Sequence, residues 1–232
     1  MVVTRLQPER APEWLSPLLR RIGEADAETL SHHRIRPRAD ARRAAVLVLF
    51  GEDQVHGPDV LLVERASSLR THAGQVAFPG GSADPHDRDE VATALREAEE
   101  ETGVEPEGVV PLAVLPELFI PPSGFVVTPV LAHWERPVAV HAVDAAETAA
   151  VVRVPLVDLA EPANRITVRN PSGTSSPAFV VAGLLVWGFT GGLLSALLDL
   201  GGWARPWDTT RVDDLGAAWS AARAGRQEVA GS

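Results

Sequence analysis

The segment from Glu90 to Gly103 limits the possible folds more strongly than any other part of the 232-residue chain. On an α-helix, at about 100° per residue, four apolar residues fall in one stripe: Val91, Ala94, Leu95 and Ala98. Such a stripe has to be buried against another element. Glycine is the residue that most often follows the last turn of a helix. We therefore expect a helix over Glu90–Thr102 that packs on a sheet by this stripe and leaves its other side open.

The other side of this helix carries a cluster of carboxylates. Glu97, Glu100 and Glu101 are separated by three and four residues and therefore share one face, with Glu90 projecting close to it. Like charges at these spacings repel each other by about a few tenths of a kcal/mol on an exposed helix. Arg96, four residues before Glu100, can pair with one of them. A divalent cation can neutralise the others.

Oxygen-only ligands favour Mg²⁺ or Mn²⁺ over zinc. Magnesium usually shares its sites with substrate phosphates, so this helix face can hold a diphosphate. The turn Phe78-Pro79-Gly80-Gly81 lies just upstream, where glycine allows close approach of the backbone, and its carbonyl groups can add ligands. The alternative is a glutamate-rich helix face that is simply solvated.

The remaining elements surround this helix without a regular strand–helix alternation. Strands are predicted at Ala44–Phe50, Val60–Val63, Val109–Leu115, Phe125–Trp134, Ala149–Val154, Arg165–Arg169 and Phe179–Val186. Helices are predicted at Pro12–Ile22, Leu193–Leu200 and Val212–Arg223. This pattern favours an α+β fold in which a mixed sheet packs between helices, an α/β/α sandwich. We expect a helical leader over residues 1–40, the main domain over residues 41–203, and a helix with a frayed tail over residues 204–232.

Charge and composition exclude several classes of protein. The formal net charge of −10 argues against nucleic-acid binding, which needs a basic face. The absence of cysteine excludes disulfide scaffolds, zinc ribbons and cysteine nucleophiles, and it fits a reducing compartment. The uncharged stretch Ala178–Leu198 is long enough to cross a bilayer, but it divides into a strand-like and a helix-like half. We expect a cytoplasmic protein without a membrane span.

The segment Gly81–Val104 resembles the Nudix box, G-x5-E-x7-R-E-U-x-E-E-x-G-U. Its second half matches fully at Arg96, Glu97, Ala98, Glu100, Glu101, Gly103 and Val104. Its first half departs from the pattern, because Asp87 stands where the box has glutamate. Eight residues instead of seven then separate Asp87 from Arg96.

Further motifs resemble the coenzyme A pyrophosphatase branch of this superfamily. They are the run Leu61–Gly81, the segment Asp84-Pro85-His86-Asp87 with its extra residue, Pro122-Ser123-Gly124-Phe125 followed by Thr128-Pro129, and Trp187-Gly188-Phe189-Thr190. The resemblance spans about residues 44–200 and leaves the two ends of the chain outside it.

The resemblance implies a mixed sheet flanked by helices, with the box as a loop–helix–loop. It implies hydrolysis of the diphosphate of coenzyme A or its thioesters to 3',5'-ADP and a 4'-phosphopantetheine species, with Mg²⁺ or Mn²⁺ as cofactor. Glu97 and Glu101 then become the principal metal ligands, joined by the Gly81 carbonyl. Glu100 becomes a further ligand or the catalytic base, and Arg96 orients the cluster.

The candidate contacts to the anionic substrate are residues outside the helix. Arg65, Arg70 and His72 are candidate phosphate contacts, because the planar guanidinium suits phosphate oxygens. The alternative is that Arg65 pairs with a neighbouring acid and His72 caps a loop. Ser123 either hydrogen-bonds substrate or satisfies loop backbone. Other candidate bases are Glu117, Asp144 and Glu147.

Two further functions compete with coenzyme A hydrolysis. One is the same chemistry on another nucleoside diphosphate derivative, such as ADP-ribose, a sugar nucleotide or a dinucleotide. The other is a non-hydrolytic nucleotide sensor, whose usual mark is a damaged box, whereas the box glutamates and Arg96 are all present here. The expected partners are a small-molecule substrate and, for assembly, a second copy of the chain in a homodimer.

Overall fold

A computed structural model describes residues 5–31, 41–68, 72–121 and 123–230, without the side chains of residues 227–230. The helices are α1 (Ser16–Ile22), α2 (Ala27–Leu30), α3 (Glu90–Thr102), α4 (Leu156–Ala160), α5 (Gly188–Gly201) and α6 (Leu215–Ala230). The strands are β1 (Arg42–Asp53), β2 (Gly57–Arg65), β3 (Val76–Ala77), β4 (Gly80–Ser82), β5 (Val109–Val114), β6 (Leu118–Ile120), β7 (Phe125–Trp134), β8 (Thr148–Pro155), β9 (Arg165–Arg169), β10 (Ser175–Val181), β11 (Leu184–Val186) and β12 (Val212–Asp214).

The larger sheet is mixed and is centred on β1. Its strand order is β3-β2-β1-β7-β5, with β4 paired to β1, β6 to β7 and β8 to β2. The β1–β7 pair is parallel, whereas β1 and β2 form an antiparallel hairpin. Strand β4 runs antiparallel to the start of β1, where Gly80 pairs with Val46 and Gly81 with Ala45. Gly80 has a φ of 155° and no room for a side chain above β1, so only glycine fits there.

The second sheet has the order β11-β10-β9-β12 and lies on the other side of the first sheet from α3. The apolar stripe of α3 is buried with inner residues of β1, β2 and β7, including Leu47, Leu61 and Trp134. The opposite face of the larger sheet packs with α1, α5 and one face of the second sheet. Helix α6 covers the other face of the second sheet through Ala218 and Ala222. The protein therefore has the α+β architecture with helices flanking a mixed sheet.

The structure confirms the predicted helix over Glu90–Thr102 with Gly103 in the left-handed conformation after it. The strands predicted at Ala44–Phe50 and Val60–Val63 are also confirmed, and they lie in β1 and β2, which form an antiparallel hairpin. The helix predicted at Pro12–Ile22 begins with a 3₁₀ turn over Glu13–Leu15 and continues as α1. Leu15 and Leu18 of this segment are fully buried in the core between the larger sheet and α5.

Three predictions near the C-terminal end were wrong in detail. The single strand Phe179–Val186 is a hairpin of β10 and β11, because Ala182 and Gly183 both adopt positive φ values and form a two-residue turn. The helix predicted from Leu193 begins at Gly188. The helix predicted from Val212 begins at Leu215, because Val212–Asp214 pairs as β12 with β9. In the described part of the chain, no helix combines the length and apolar character that crossing a membrane needs.

Candidate active site

Helix α3 is fixed at both ends, and this determines where its carboxylates lie. The Asp89 side chain accepts a hydrogen bond from the Ala92 amide at 2.7 Å and caps the first turn. Gly103 ends the helix, with its amide donating to the Glu99 carbonyl at 2.9 Å. Because the apolar stripe is buried on the sheet, Glu97 and Glu101 are directed to the turn around β4.

Glu97 lies directly against Gly81. A Cβ atom on Gly81 would overlap the Glu97 carboxylate, so any other residue would force this carboxylate to move. The Glu97 side chain is 18% exposed, and its burial raises its pKa, opposed by the hydrogen bond from Arg96. The sequence-predicted proximity of Glu97 and the Gly81 backbone is therefore present in the structure.

Glu101 lies one turn further along the same face and is the more buried of the two. One carboxylate oxygen accepts a hydrogen bond from the Gly80 amide at 3.0 Å, and the other is 3.9 Å from Arg65 Nη1. Burial raises the pKa of Glu101 to about 7, although the Gly80 amide and the Arg65 charge oppose the shift. The charges of Glu97 and Glu147 raise the pKa further.

Arg96 binds more acids than the sequence predicts. Its Nη1 donates to Glu97 at 2.9 Å and to Glu100 at 3.0 Å, which includes the predicted pair with Glu100. Its Nε and Nη2 form a two-pronged contact with Asp87 at 3.0 and 2.9 Å, and Nη2 also donates to the Ser82 carbonyl at 3.1 Å. Arg96 therefore ties the turn before α3 to the glutamates on it.

Asp87 is the site residue that sequence reasoning missed. Arg96 lowers the pKa of Asp87 to about 2, with further hydrogen bonds from the Asp84 amide and the Thr93 hydroxyl. The signal for it was its place at the acidic position of the box. The turn Asp84–Asp87 closes on itself, since the Asp87 amide donates to the Asp84 carbonyl at 2.9 Å. This turn directs the Asp87 carboxylate to Arg96.

The residues around Gly80 and Gly81 fit a divalent cation by the chemistry of their donors. Two largely buried carboxylates and a glycine backbone carbonyl offer only oxygen ligands, and the missing Cβ of Gly81 lets the Glu97 carboxylate lie against that backbone. Glu100 is directed to Arg96 and is 59% exposed. Within residues 5–31, 41–68, 72–121 and 123–230, no three acidic or histidine side chains converge as a ready metal cluster.

Of the predicted substrate contacts, the structure brings Arg65 to the acidic cluster. Arg65 Nε is buried and has no hydrogen-bond partner among the described residues. His72 is exposed, and its Nδ1 lies 2.7 Å from Gln75 Oε1. This contact within the loop corresponds to the alternative in which His72 caps a loop. The Ser123 hydroxyl donates to the Ile120 carbonyl at 3.2 Å and thus satisfies loop backbone. Arg70 lies outside the described residues.

The candidate bases differ in their surroundings. Glu117 pairs with Arg43, and Asp144 accepts a hydrogen bond from the Ala146 amide at 2.8 Å within its turn. Glu147 lies close enough for its charge to affect Glu101. The Glu147 carbonyl accepts a hydrogen bond from the Ala66 amide at 2.8 Å, which joins its loop to the end of β2. Among these three candidate bases, Glu147 is therefore the one whose charge acts on Glu101.

Comparison with known proteins identifies a family and several relatives that this chain resembles. The model of the NUDIX domain family matches residues 40–171, more than half of the chain. A protein of Pectobacterium atrosepticum named "Uncharacterized Nudix hydrolase NudL" is 53% identical over 97 residues, 42% of this chain and 49% of the relative. A protein of Klebsiella pneumoniae with the same name is 38% identical over 174 residues, 71% of this chain and 85% of the relative.

The aligned part of the chain covers between 49% and 59% of the length of four such relatives. Among solved structures, a Nudix hydrolase from M. smegmatis, RenU, is 20% identical with a TM-score of 0.48. That match covers 72% of this chain and 90% of the other.

Proposed function

This chain belongs to the NUDIX domain family, and we propose that it is a metal-dependent hydrolase of a nucleoside diphosphate derivative, namely coenzyme A or its thioesters. One observation carries the proposal: Glu97 and Glu101 lie side by side against the backbone of Gly80 and Gly81, with the Arg65 guanidinium next to them. Acidic side chains for a cation and a cationic group for phosphate oxygens thus meet at one place. The products are 3',5'-ADP and 4'-phosphopantetheine or its acyl derivative.

The choice of coenzyme A is supported by sequence features around this site. The run Leu61–Gly81 contains the second half of β2, the loop before β3, and the Gly80-Gly81 start of β4, and it resembles the signature of the coenzyme A branch. The closed turn Asp84–Asp87 has the Asp-Pro-x-Asp form of that branch and positions Asp87 for Arg96. Fold alone does not determine the substrate.

The proposed chemistry is water attack on one phosphorus of the diphosphate. Glu97, Glu101 and the Gly81 carbonyl would hold a divalent cation, which screens the phosphate charge and acidifies water when bound. Arg65 contacts the phosphate oxygens through a planar guanidinium. Glu147 accepts the proton of the attacking water, and the bond from phosphorus to the bridging oxygen breaks, so that the bridging oxygen leaves with the other phosphate. Arg96 holds Glu97 and Glu100 in orientation.

The test incubates the purified chain with coenzyme A and Mg²⁺ or Mn²⁺ and measures release of 3',5'-ADP. Glu101→Gln is expected to reduce turnover by at least about a hundredfold, because it removes a charged group from the centre of the site. Glu147→Gln is expected to reduce kcat by about a hundredfold, as loss of a general base does. Glu99→Gln, on the exposed side of α3, is the matched control and should keep the wild-type rate.

Three results would contradict the proposal in different ways. Undiminished turnover of Glu101→Gln would refute the metal-ligand assignment. Efficient cleavage of ADP-ribose with coenzyme A left intact would identify another nucleoside diphosphate as the substrate. Tight binding of coenzyme A without cleavage would identify a sensor.

A further inference from the structure

Helix α6 contacts the loop that follows β2, beside the candidate active site. Gly74 in this loop has a φ of 67°, and a Cβ atom on it would lie 3.2 Å from Trp219 Cζ2 of α6. The Trp219 ring is held in turn by Trp187, with ring centroids 6.3 Å apart in an edge-to-face arrangement. The indole of Trp219 therefore lies against the backbone of this loop.

A second contact joins α6 to the end of β2. Arg226 Nη1 lies 2.5 Å from Glu64 Oε2, and the Glu64 side chain is only 15% exposed. The Cα and Cβ atoms of Arg226 pack on Gly183, where an added Cβ would lie 2.6 Å from Arg226 Cβ. The β10–β11 turn thus supports the helix at the position from which Arg226 reaches Glu64.

Both contacts are made to residues that adjoin Arg65. Glu64 is its chain neighbour, and the Gly74 amide donates to the Arg65 carbonyl at 3.0 Å. The Arg65 amide donates to the Gln75 carbonyl at 2.9 Å. The Arg65 guanidinium lies 3.9 Å from Glu101, and its buried Nε lacks a partner among the described residues.

We propose that Trp219 and Arg226 of α6 are positioning residues that hold Arg65 where it binds the substrate diphosphate. This inference rests on the proposed function, in which Arg65 contacts phosphate oxygens. A flexible arginine that is held in place before binding loses less conformational entropy on contacting its ligand, so fixation increases affinity. Helix α6 lies beyond residues 40–171, so the family match assigns no role to it.

The test measures kcat and KM for coenzyme A in variants of α6. Trp219→Leu is expected to raise KM about tenfold with kcat changed less than about threefold, since a displaced binding group costs affinity. Arg226→Ala is expected to raise KM about threefold, and Arg226→Lys to restore most of the loss. Arg223→Ala is the matched control, because Arg223 is exposed on the same helix.

A double-mutant cycle with Arg65→Ala separates positioning from general stabilisation. If α6 acts through Arg65, Trp219→Leu has little further effect on KM in the Arg65→Ala background, whereas independent effects multiply. Multiplying effects, or an unchanged KM in both Trp219→Leu and Arg226→Ala, would overturn the inference. Arg226→Ala keeps the test valid if Trp219→Leu does not fold.

Failure of the proposed function is distinguishable from failure of this inference. A wild-type chain that cleaves ADP-ribose instead of coenzyme A would overturn the substrate assignment, and the same cycle is then measured with ADP-ribose. If the wild type cleaves neither compound, the cycle is measured as the affinity of each variant for 3',5'-ADP, by calorimetry. Trp219→Leu is again expected to have little further effect in the Arg65→Ala background.

Discussion

At the scale of single residues, Asp87 and Arg96 join the turn before α3 to the helix itself. Both oxygens of Asp87 accept hydrogen bonds from the guanidinium, which leaves Nη1 of Arg96 for Glu97 and Glu100. One arginine therefore sets the orientation of two glutamates relative to β4. Because the arrangement is two-pronged, lysine could not reproduce it.

Replacing Asp87 tests this arrangement. Asp87→Asn is expected to lower the free energy of unfolding by about 2 kcal/mol, because hydrogen bonds to a charged group are lost. It is also expected to reduce kcat/KM by about tenfold, since Arg96 no longer orients the glutamates. Urea denaturation and the 3',5'-ADP assay measure the two effects. Asp213→Asn is the control, because Asp213 pairs at 3.5 Å with Arg211 in an exposed position away from α3.

The stability difference between the wild type and Asp87→Asn should depend on pH. The pKa of Asp87 lies at about 2, below its ordinary value of 3.8, because Arg96 donates to the carboxylate. The contact between Asp87 and Arg96 therefore stabilises the folded state fully at pH values above 3.8. This stabilisation is lost as the pH falls through the folded-state pKa of about 2. A stability difference of equal size at neutral pH and at the lowest accessible pH would contradict this assignment.

The sequence predicts part of this network and omits the rest for a physical reason. Arg96 and Glu100 are four residues apart on a helix, so their contact follows from helix geometry. Asp87 lies before the helix, and its contact depends on how the turn Asp84–Asp87 folds back. Local periodicity contains no information about that turn, and only the motif position pointed to an acid there.

At the scale of elements, α3 follows from its sequence almost completely, while the C-terminal elements do not. An apolar stripe, an Asp89 cap and a terminal Gly103 determine the helix locally. In contrast, β12 exists because Val212–Asp214 pairs with β9, which is distant in the sequence. The β10–β11 turn depends on positive φ values at Ala182 and Gly183, for which the glycine alone is a weak signal.

The contact between β4 and α3 depends on the small size of Gly81, which lets the Glu97 carboxylate lie against the backbone. Gly81→Ala is expected to displace the Glu97 carboxylate. This should reduce kcat/KM by at least about tenfold, as happens when a residue that orients a metal ligand is lost. Gly192→Ala in α5 is the control, because an added Cβ has open space there and stabilises a helix by about 0.5–1 kcal/mol. Wild-type kinetics in Gly81→Ala would contradict the close contact.

At the scale of the whole molecule, residues from both ends of the chain cover the central sheet. Leu15 and Leu18 are buried with Phe50 of β1 and Leu198 of α5. We propose that residues 41–203 form the hydrolase domain, that the helical leader is docked on it, and that α6 completes its substrate side. The sequence predicts the amphipathic leader helix, but the identity of the surface that it covers depends on the tertiary fold.

The docked leader has a measurable effect on stability. Leu18→Ala is expected to lower the free energy of unfolding by about 2–5 kcal/mol, because it leaves a cavity in the core. Arg20→Ala, exposed on the same helix, should change it by less than about 0.5 kcal/mol. Equal effects of the two variants in urea denaturation would show that the leader does not contribute to the core.

The β1–β2 hairpin has a practical consequence for experiments on this protein. Its turn carries Val55, which is 81% exposed, and lies at the other end of β1 from Ala45, the partner of Gly81. At about 3.3 Å per strand residue, the separation is roughly 25 Å. Exposed loop tips are preferred sites for tolerated insertions. A short epitope or a fluorophore-binding peptide inserted there would allow the chain to be immobilised or followed optically while the candidate active site stays accessible.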